Sequence, residues 1–249
     1  MEAWGRHRSG VIQVDAEIIV ERLFQTLITG DRAGARAIMA ETRNTGISAE
    51  EAVHLVFWPA LEMISALYRA DQLTTLAQHY ATRLLRTLID QAQAEYAQKE
   101  RRNRKVLMFS GPGEADELAG QMVSDLLEAD GYELYFGGGG VANDEILAEV
   151  GEHRPDVLLM FASGPGDAPN IRQLIDTIRG IGACPQTQIV VGGGVFNRAE
   201  GLAEEIGADL WAKSPADLLT KLAAHRHRRA TPDQRTVGRN RRTTRGRVA

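Results

Sequence analysis

The chain has 249 residues, enough for one large domain or two ordinary ones, and its 43% hydrophobic and 25% charged content is that of a soluble globular protein. No apolar run approaches the length of a membrane span, and Arg6 and Arg8 are not followed by the apolar core of a signal peptide. Cys184 is the single cysteine, which excludes an intramolecular disulfide and any multi-cysteine metal site; a cytoplasmic location and no membrane partner are the expectation. The formal charge of −4 is uneven, because nine arginines and one aspartate, Asp233, fall between Arg226 and Ala249 and leave the remainder clearly acidic.

Residues 1–13 carry no pattern and are expected to be flexible. From about Val14 to Gln98 the apolar spacing is helical throughout. Ile18, Ile19, Leu23, Leu27 and Ile28 form the first stripe, which Gly30-Asp31 ends. A short second helix covers Ala33 to Thr42. Ser48 and Glu51 have capping-box spacing and open a third helix through about Ala70, kinked at Pro59. Thr74 or Thr75 opens a fourth through about Gln98, with Leu76, Tyr80, Leu84, Leu88 and Gln91 on one side. Four helices with short connections predict an antiparallel bundle over residues 14–98.

The polar, unpatterned stretch 99–105 reads as a linker. Short apolar runs then alternate with amphipathic stretches. The runs are Val106 to Phe109, Tyr132 to Phe136, Val157 to Phe161, Ile189 to Val191 and Leu210-Trp211. The helical stretches are Asp116 to Ala129, Asn143 to Glu152, Ile171 to Ile181, Ala199 to Ile206 and Pro215 to Ala224. This alternation predicts an α/β domain over 106–224: a flavodoxin-like, five-stranded parallel sheet with helices on both faces and ligands at the carboxyl ends of the strands. Three glycine-rich loops fall at those ends: Gly113 to Ala119, Ser163-Gly164-Pro165-Gly166 and Gly192-Gly193-Gly194. Residues 225–249 lack periodicity and read as a basic, disordered tail.

The order of bundle, linker and five-unit parallel domain resembles the cobalamin-binding module of methionine synthases, corrinoid methyl-transfer proteins and light-sensing cobalamin repressors, over about Val14 to Ala224. That family places Asp/Glu-x-His-x-x-Gly after the first strand, Ser-x-Leu after the third and Gly-Gly after the fourth. The first motif aligns as Glu114-x-Asp116-x-x-Ala119, with Glu117, Leu118 and Met122 as its neighbours. Ser163-Gly164 aligns with the second motif and Gly192-Gly193-Gly194 with the third, while Gly207-Ala208-Asp209 and Trp211-Ala212-Lys213 are also similar. The resemblance implies that the dimethylbenzimidazole tail of the corrinoid threads beside the sheet along Gly192 and Gly193, and that Ser163 meets the base. In that family the histidine at this position ligates cobalt, and here the position reads Asp116. Asp116 is a shorter, harder oxygen donor than imidazole, so the expectation is cobalamin bound with no histidine on its lower face.

In the bundle, the light-sensing members carry a tryptophan followed ten residues later by Glu-His. Here those positions read Tyr68, Gln78 and His79, and Trp58-Pro59-Ala60 matches the common entry to the same helix. Trp58, Tyr68, Gln78 and His79 are therefore candidate upper-face contacts, with His79 a candidate upper cobalt ligand; for Trp58, Tyr68 and His79 an ordinary bundle role stands beside this one. Two further features each have two readings. Gly137 to Gly140 is a phosphate cradle or a strand-to-helix loop, and it lacks the Walker lysine. Glu114, Asp116 and Glu117 are a carboxylate site or first-turn acids favoured by the helix dipole. His54 and His153 read as surface or partly buried helix residues, and Cys184 as an inert connector residue.

The resulting expectation is a non-catalytic sensory or regulatory protein that binds cobalamin or a related tetrapyrrole, responds to cofactor or light, and acts through a protein partner. The alternatives are a corrinoid carrier for a methyltransferase, or a derived domain that binds haem, a bilin or only protein. Nucleic acid enters only through the arginine-rich tail, and a homodimer is a further expectation.

Overall fold

The computed structural model describes residues 2–182 and 184–235, with the side chains of 2–15 and of Pro232 outside the description. The described residues fall into two compact units that divide between Ala97 and Gln98.

The first unit is helical. Its elements are α1 (Glu2–Thr29), α2 (Arg32–Asn44), α3 (Ala49–Ala52), a π-helical turn (Val53–Phe57), α4 (Trp58–Arg69) and α5 (Thr75–Gln93). The helix starts read at Ser48 and Thr74 form as expected, and Asp31 adds a cap that the sequence reading did not assign. Ser48 Oγ accepts from Glu51 N at 3.1 Å while Glu51 Oε2 accepts from Ser48 N at 2.9 Å. Asp31 caps α2 through Gly34 N, and Thr74 caps α5 through Ala77 N. The disturbance at Pro59 takes the form of the π turn just before it. Proline has no N–H for the carbonyl one turn back, and the wider turn absorbs the mismatch while keeping Val53, Val56 and Phe57 buried.

Three expectations for this unit are corrected. Residues 2–13 belong to α1 rather than to a flexible end. The last helix stops at Gln93, short of Gln98. Its buried stripe is Ala81, Leu84, Leu85, Leu88, Ile89 and Ala92, while Leu76 and Tyr80 are exposed, because the stripe turns away before the first turn of the helix.

The second unit opens with a segment that is already tied down. Lys99 N bonds Ala129 O, Arg102 N bonds Gly131 O, and the Lys99 and Arg102 side chains both pair with the buried Asp130 carboxylate, at 2.6 and 2.7 Å. Five parallel strands follow: β1 (Lys105–Ser110), β2 (Glu133–Gly139), β3 (Val157–Phe161), β4 (Gln188–Gly192) and β5 (Leu210–Ala212), in the order β2-β1-β3-β4-β5. The interleaved helices are α6 (Glu114–Ala129), α7 (Asn143–His153), α8 (Asp167–Ile181), α9 (Gly194–Arg198), α10 (Leu202–Ile206) and α11 (Pro215–Ala224). The fold is the expected doubly wound α/β sheet.

Strand alternation divides the core. Leu107, Phe109, Leu158, Met160, Ile189 and Val191 pack with residues of α7, α8, α9 and α10. Val106, Met108, Leu159, Phe161, Val190 and Gly192 therefore face the other side, where Gly120 of α6 lies against Met108 and Phe136. Two boundaries differ from the sequence reading. The single helix expected over Ala199–Ile206 is two short ones, because Gly201 adopts a left-handed conformation at φ +78°. Gly137–Gly139 are strand rather than loop: Cβ atoms at Gly137 and Gly139 would strike the Phe109 ring and the Gly111 carbonyl, so glycine lets β2 approach β1 this closely.

The tail reading is also corrected for residues 225–235. Gln188 Nε2 donates to the carbonyls of His225 and Arg228, Arg229 donates to Gln186 O, and Ala230 N donates to Asp209 Oδ1 at 2.6 Å. Gln234 bonds Glu204 O and Ala208 O, and Arg235 pairs with Asp176 at 2.6 Å. This strap is held by carbonyls and carboxylates presented by other elements, a mode of anchoring that needs no apolar periodicity of its own. The arginines beyond Arg235 lie outside the described residues.

Candidate functional site

The carboxyl edge of β1, β3 and β4 brings the three glycine-rich loops side by side, because those strands are neighbours. Gly111 N bonds Phe161 O at 2.7 Å, Ala162 N bonds Gly192 O at 3.0 Å, and Val195 N bonds Ala162 O at 3.3 Å. The loops thus form one hydrogen-bonded rim at the β1/β3 switch point, the place where doubly wound sheets bind ligands.

Glu114, Asp116 and Glu117 fall in the first turn of α6, where their charge favours the helix N-terminus. Glu114 is exposed and Glu117 half-buried, but Asp116 is buried at 7% exposure, and Leu118 is fully buried core. The Asp116 carboxylate folds back under its own loop. Its Oδ2 lies 2.7 Å from where a Cβ on Gly111 would sit and 3.3 Å from one on Gly113. Asp167, at the start of α8, reaches the same glycine from the other side, with Oδ2 at 3.3 Å from that Gly111 position while accepting from Gly164 N at 3.2 Å. Gly111 is therefore required by two carboxylates that border it.

The triglycine is filled by the chain itself. A Cβ on Gly193, whose φ is +103°, would lie 2.3 Å from Ala162 O, and one on Gly194 would lie 2.5 Å from the Arg198 guanidinium. Arg198 also donates to Ser163 O at 2.5 Å, which binds the second loop to the third. Gly192 is paired with Phe161, whose ring atoms Cδ2 and Cε2 lie 3.5 and 3.7 Å from a Cβ built there. Ser163 itself is two residues beyond the strand, half-buried in the loop with Gly164.

On the α7/α8 face of the same rim is a cavity of about 450 Å³ with an apolar floor of Phe109, Ile146, Met160, Ile171 and Leu174. Ser110, Asn143, Asp167 and Asn170 supply its polar wall, and Ser110 Oγ is buried with no hydrogen-bond partner among the described residues. Phe161, Asp167, Arg198 and Ser110 are site residues that sequence reasoning misses. The accessible signal is the strand alternation, which puts Phe161 and Gly192 on one face.

In the helical unit, Tyr68 ends α4 and Gln78 and His79 lie in the second turn of α5. Across the α4–α5 turn Tyr68 Oη lies 3.4 Å from Thr75 Oγ1, three and four residues before Gln78 and His79. Tyr68, Gln78 and His79 are half-buried. Trp58 is apart from them, roughly 15 Å away along the axis of α4. It is buried at 7% exposure with Ala60, Leu61 and Ile64 of the same helix, so its surroundings are those of a core residue. A second cavity, of about 570 Å³, runs within this unit between α1 and the π turn, lined by Val20, Phe24, His54, Leu55, Pro59 and Met63. Desolvation there lowers the pKa of His54, opposed by Glu51.

The lower-face position that the resemblance implies does not fit a cobalamin ligated by Asp116, whose carboxylate is packed under Gly111. The Phe161 ring borders Gly192 at ordinary van der Waals distance. Among the described residues no three histidine, cysteine, aspartate or glutamate side chains are grouped to hold a metal ion. No helix among them is long and apolar enough to cross a membrane.

Comparison with known proteins places both units. Residues 19–93 and residues 104–219 each match a family model described as B12 binding domain. Monomethylamine corrinoid protein 1 of Methanosarcina acetivorans is 21% identical over 208 residues, 80% of this chain and 93% of that protein. Trimethylamine corrinoid protein 2 of the same organism is 26% identical over 119 residues, 48% of this chain and 54% of that protein. The structure of the Methanosarcina barkeri monomethylamine corrinoid protein superposes with a TM-score of 0.63 at 17% identity, covering 83% of this chain and 97% of that one. The loop spacing, the sheet order and the two matched units agree, and the chain belongs to the B12-binding domain family.

Proposed function

We propose that this protein binds a corrinoid at the carboxyl edge of its parallel sheet, with no protein ligand below cobalt, and acts through a partner protein rather than by chemistry of its own. The observation that carries this reading is the rim itself. Three glycine-rich loops lie on adjacent strand ends in a B12-family chain, while the residue at the cobalt-ligating position is a carboxylate tucked under its own loop. When bound, the corrinoid would supply a cobalt centre able to carry an exchangeable upper group. The chain's own residues would form the floor, with Gly111 to Gly113 and Ser163-Gly164 giving close backbone approach and Arg198 fixing two of the loops to each other.

A regulatory role follows from the altered ligand position: a partner would read whether the corrinoid, or its upper group, is present. The second reading is a methyl carrier for a methyltransferase, favoured by the similarity of 80% of the chain to a monomethylamine corrinoid protein. The test is to incubate the full chain with hydroxo-, methyl- and adenosylcobalamin, pass it through gel filtration and record the visible spectrum. Co-eluting corrinoid absorbance is expected; a colourless protein with all three overturns the reading. A methyl group passed from the loaded methyl form to a thiol acceptor by an added methyltransferase would favour the carrier.

A further inference from the structure

Residues 225–249 hold nine arginines, one aspartate and no lysine, aromatic, leucine, isoleucine or methionine. With a whole-chain charge of −4, residues 1–224 therefore carry −12. The strap shows how the arginines are used where they are described. Arg229 and Arg235 turn inward: Arg229 donates to Gln186 O, and Arg235 pairs with Asp176 and donates to Ile206 O at 2.6 Å. Arg226 and Arg228 do the opposite. Their carbonyls accept from Arg229, and that of Arg228 also from Gln188 Nε2. Their side chains are exposed, and no carboxylate among the described residues pairs with either. His225 and His227 beside them are exposed as well.

The backbone that carries these cations is fixed. Gln188 Nε2 donates to His225 O at 2.8 Å and to Arg228 O at 3.0 Å, and Ala230 N donates to Asp209 Oδ1 at 2.6 Å. Gln188 opens β4 and Asp209 immediately precedes β5, so the strap crosses the amino edge of the sheet. The glycine-rich rim is at the carboxyl edge, about 13 Å away along the five residues of β4. A polyanion on the strap would leave that rim open.

We propose that the strap, with the arginines that follow it in the sequence, binds the phosphodiester backbone of a nucleic-acid duplex without reading its bases. The chemistry of the segment decides between polyanions. A guanidinium presents paired N–H donors that match a phosphate, and backbone binding needs little more than such cations in a row. Binding to an acidic protein surface draws most of its energy from buried aromatic and apolar anchors, and lasting membrane attachment needs an apolar face or acyl chain beside the charge. Residues 225–249 offer no such anchor or face. Stacking on unpaired bases needs aromatic side chains, which the segment also lacks. The acidic remainder of the chain repels a polyanion and concentrates contact in this segment. This surface is independent of the corrinoid reading.

The test is fluorescence anisotropy of the full chain with short labelled DNA and RNA duplexes over a range of salt concentrations. Arg226, Arg228 and the five arginines from Arg239 to Arg247 are available to phosphates. Each phosphate neutralised contributes about −0.9 to the slope of log affinity against log salt, so a slope of about −4 to −6 is expected for the DNA. Arg226→Ala with Arg228→Ala is expected to flatten the slope by about 2 and to weaken binding about tenfold or more at about 50 mM salt. Arg226→Lys with Arg228→Lys keeps the charge and is expected to hold the slope within about 1 of the wild type. Alanine at all five positions from Arg239 to Arg247 is expected to flatten it by about 4. Three results each overturn the proposal: no saturable binding of either duplex at about 50 mM salt, a slope that Arg226→Ala with Arg228→Ala leaves unchanged, or tighter binding of polyglutamate or of phosphatidylserine–phosphatidylcholine vesicles than of either duplex.

Discussion

The two edges of the parallel sheet are built on opposite principles. At the amino edge of β4 and β5, polar side chains are buried and fully engaged. Asp209, at 1% exposure, accepts from Arg179, Ile189 N and Ala230 N at 2.6 to 2.7 Å. Gln188, at 0%, accepts from Arg104 and donates to the 225–235 strap. At the carboxyl edge, side chains are withheld: Gly111, Gly193 and Gly194 exist because Asp116, Asp167, Ala162 and Arg198 already fill the space beside them. One edge closes the domain and the other brings backbone to its surface. The glycine loops are therefore held in place by the chain's own packing, and by themselves do not report an open slot for a base.

Substitutions can break this contrast. Asp209→Ala leaves buried donors without an acceptor and an arginine without its partner, and is expected to cost about 3–5 kcal/mol in urea unfolding. A cost of less than about 1 kcal/mol would show that the amino edge is not the closing element. Gly193→Ala combines a left-handed backbone with a contact into Ala162, and roughly 2–4 kcal/mol is expected from thermal unfolding. Gly111→Ala meets only carboxylate oxygens, so about 1–3 kcal/mol is expected. That cost should shrink in an Asp116→Ala background if the two share the space, and an additive double mutant would contradict this. Arg235→Ala removes a partly buried ion pair with Asp176 and a hydrogen bond to Ile206 O, and is expected to cost about 1–2 kcal/mol.

Most of the architecture is legible in the sequence. Buried parallel strands are short continuous apolar runs, so β1, β3, β4 and β5 can be read nearly to their ends, and the β2 run lacks only its glycines. Capping residues mark α3 and α5 because their hydrogen bonds are local. The strap is not legible: its partners Asp176, Gln186, Asp209 and Glu204 are remote in sequence, and an arginine-rich segment looks the same whether its donors meet water or carbonyls. At the site, the position of Asp116 is legible and its burial under Gly111 is not. In the sequence Phe161 is only the end of an apolar run. Its placement beside Gly192 depends on the β3–β4 register, which a run of five apolar residues leaves unspecified.

The proposed reading gives the residue at the ligand position a role in its own loop, where its carboxylate borders Gly111. The visible spectrum of the aquacobalamin-loaded protein, wild type against Asp116→Ala, tests this without an intervening step. Superimposable band positions are predicted, because the carboxylate lies under Gly111. A shift of the bands on removing the carboxylate would put Asp116 on cobalt and refute that placement.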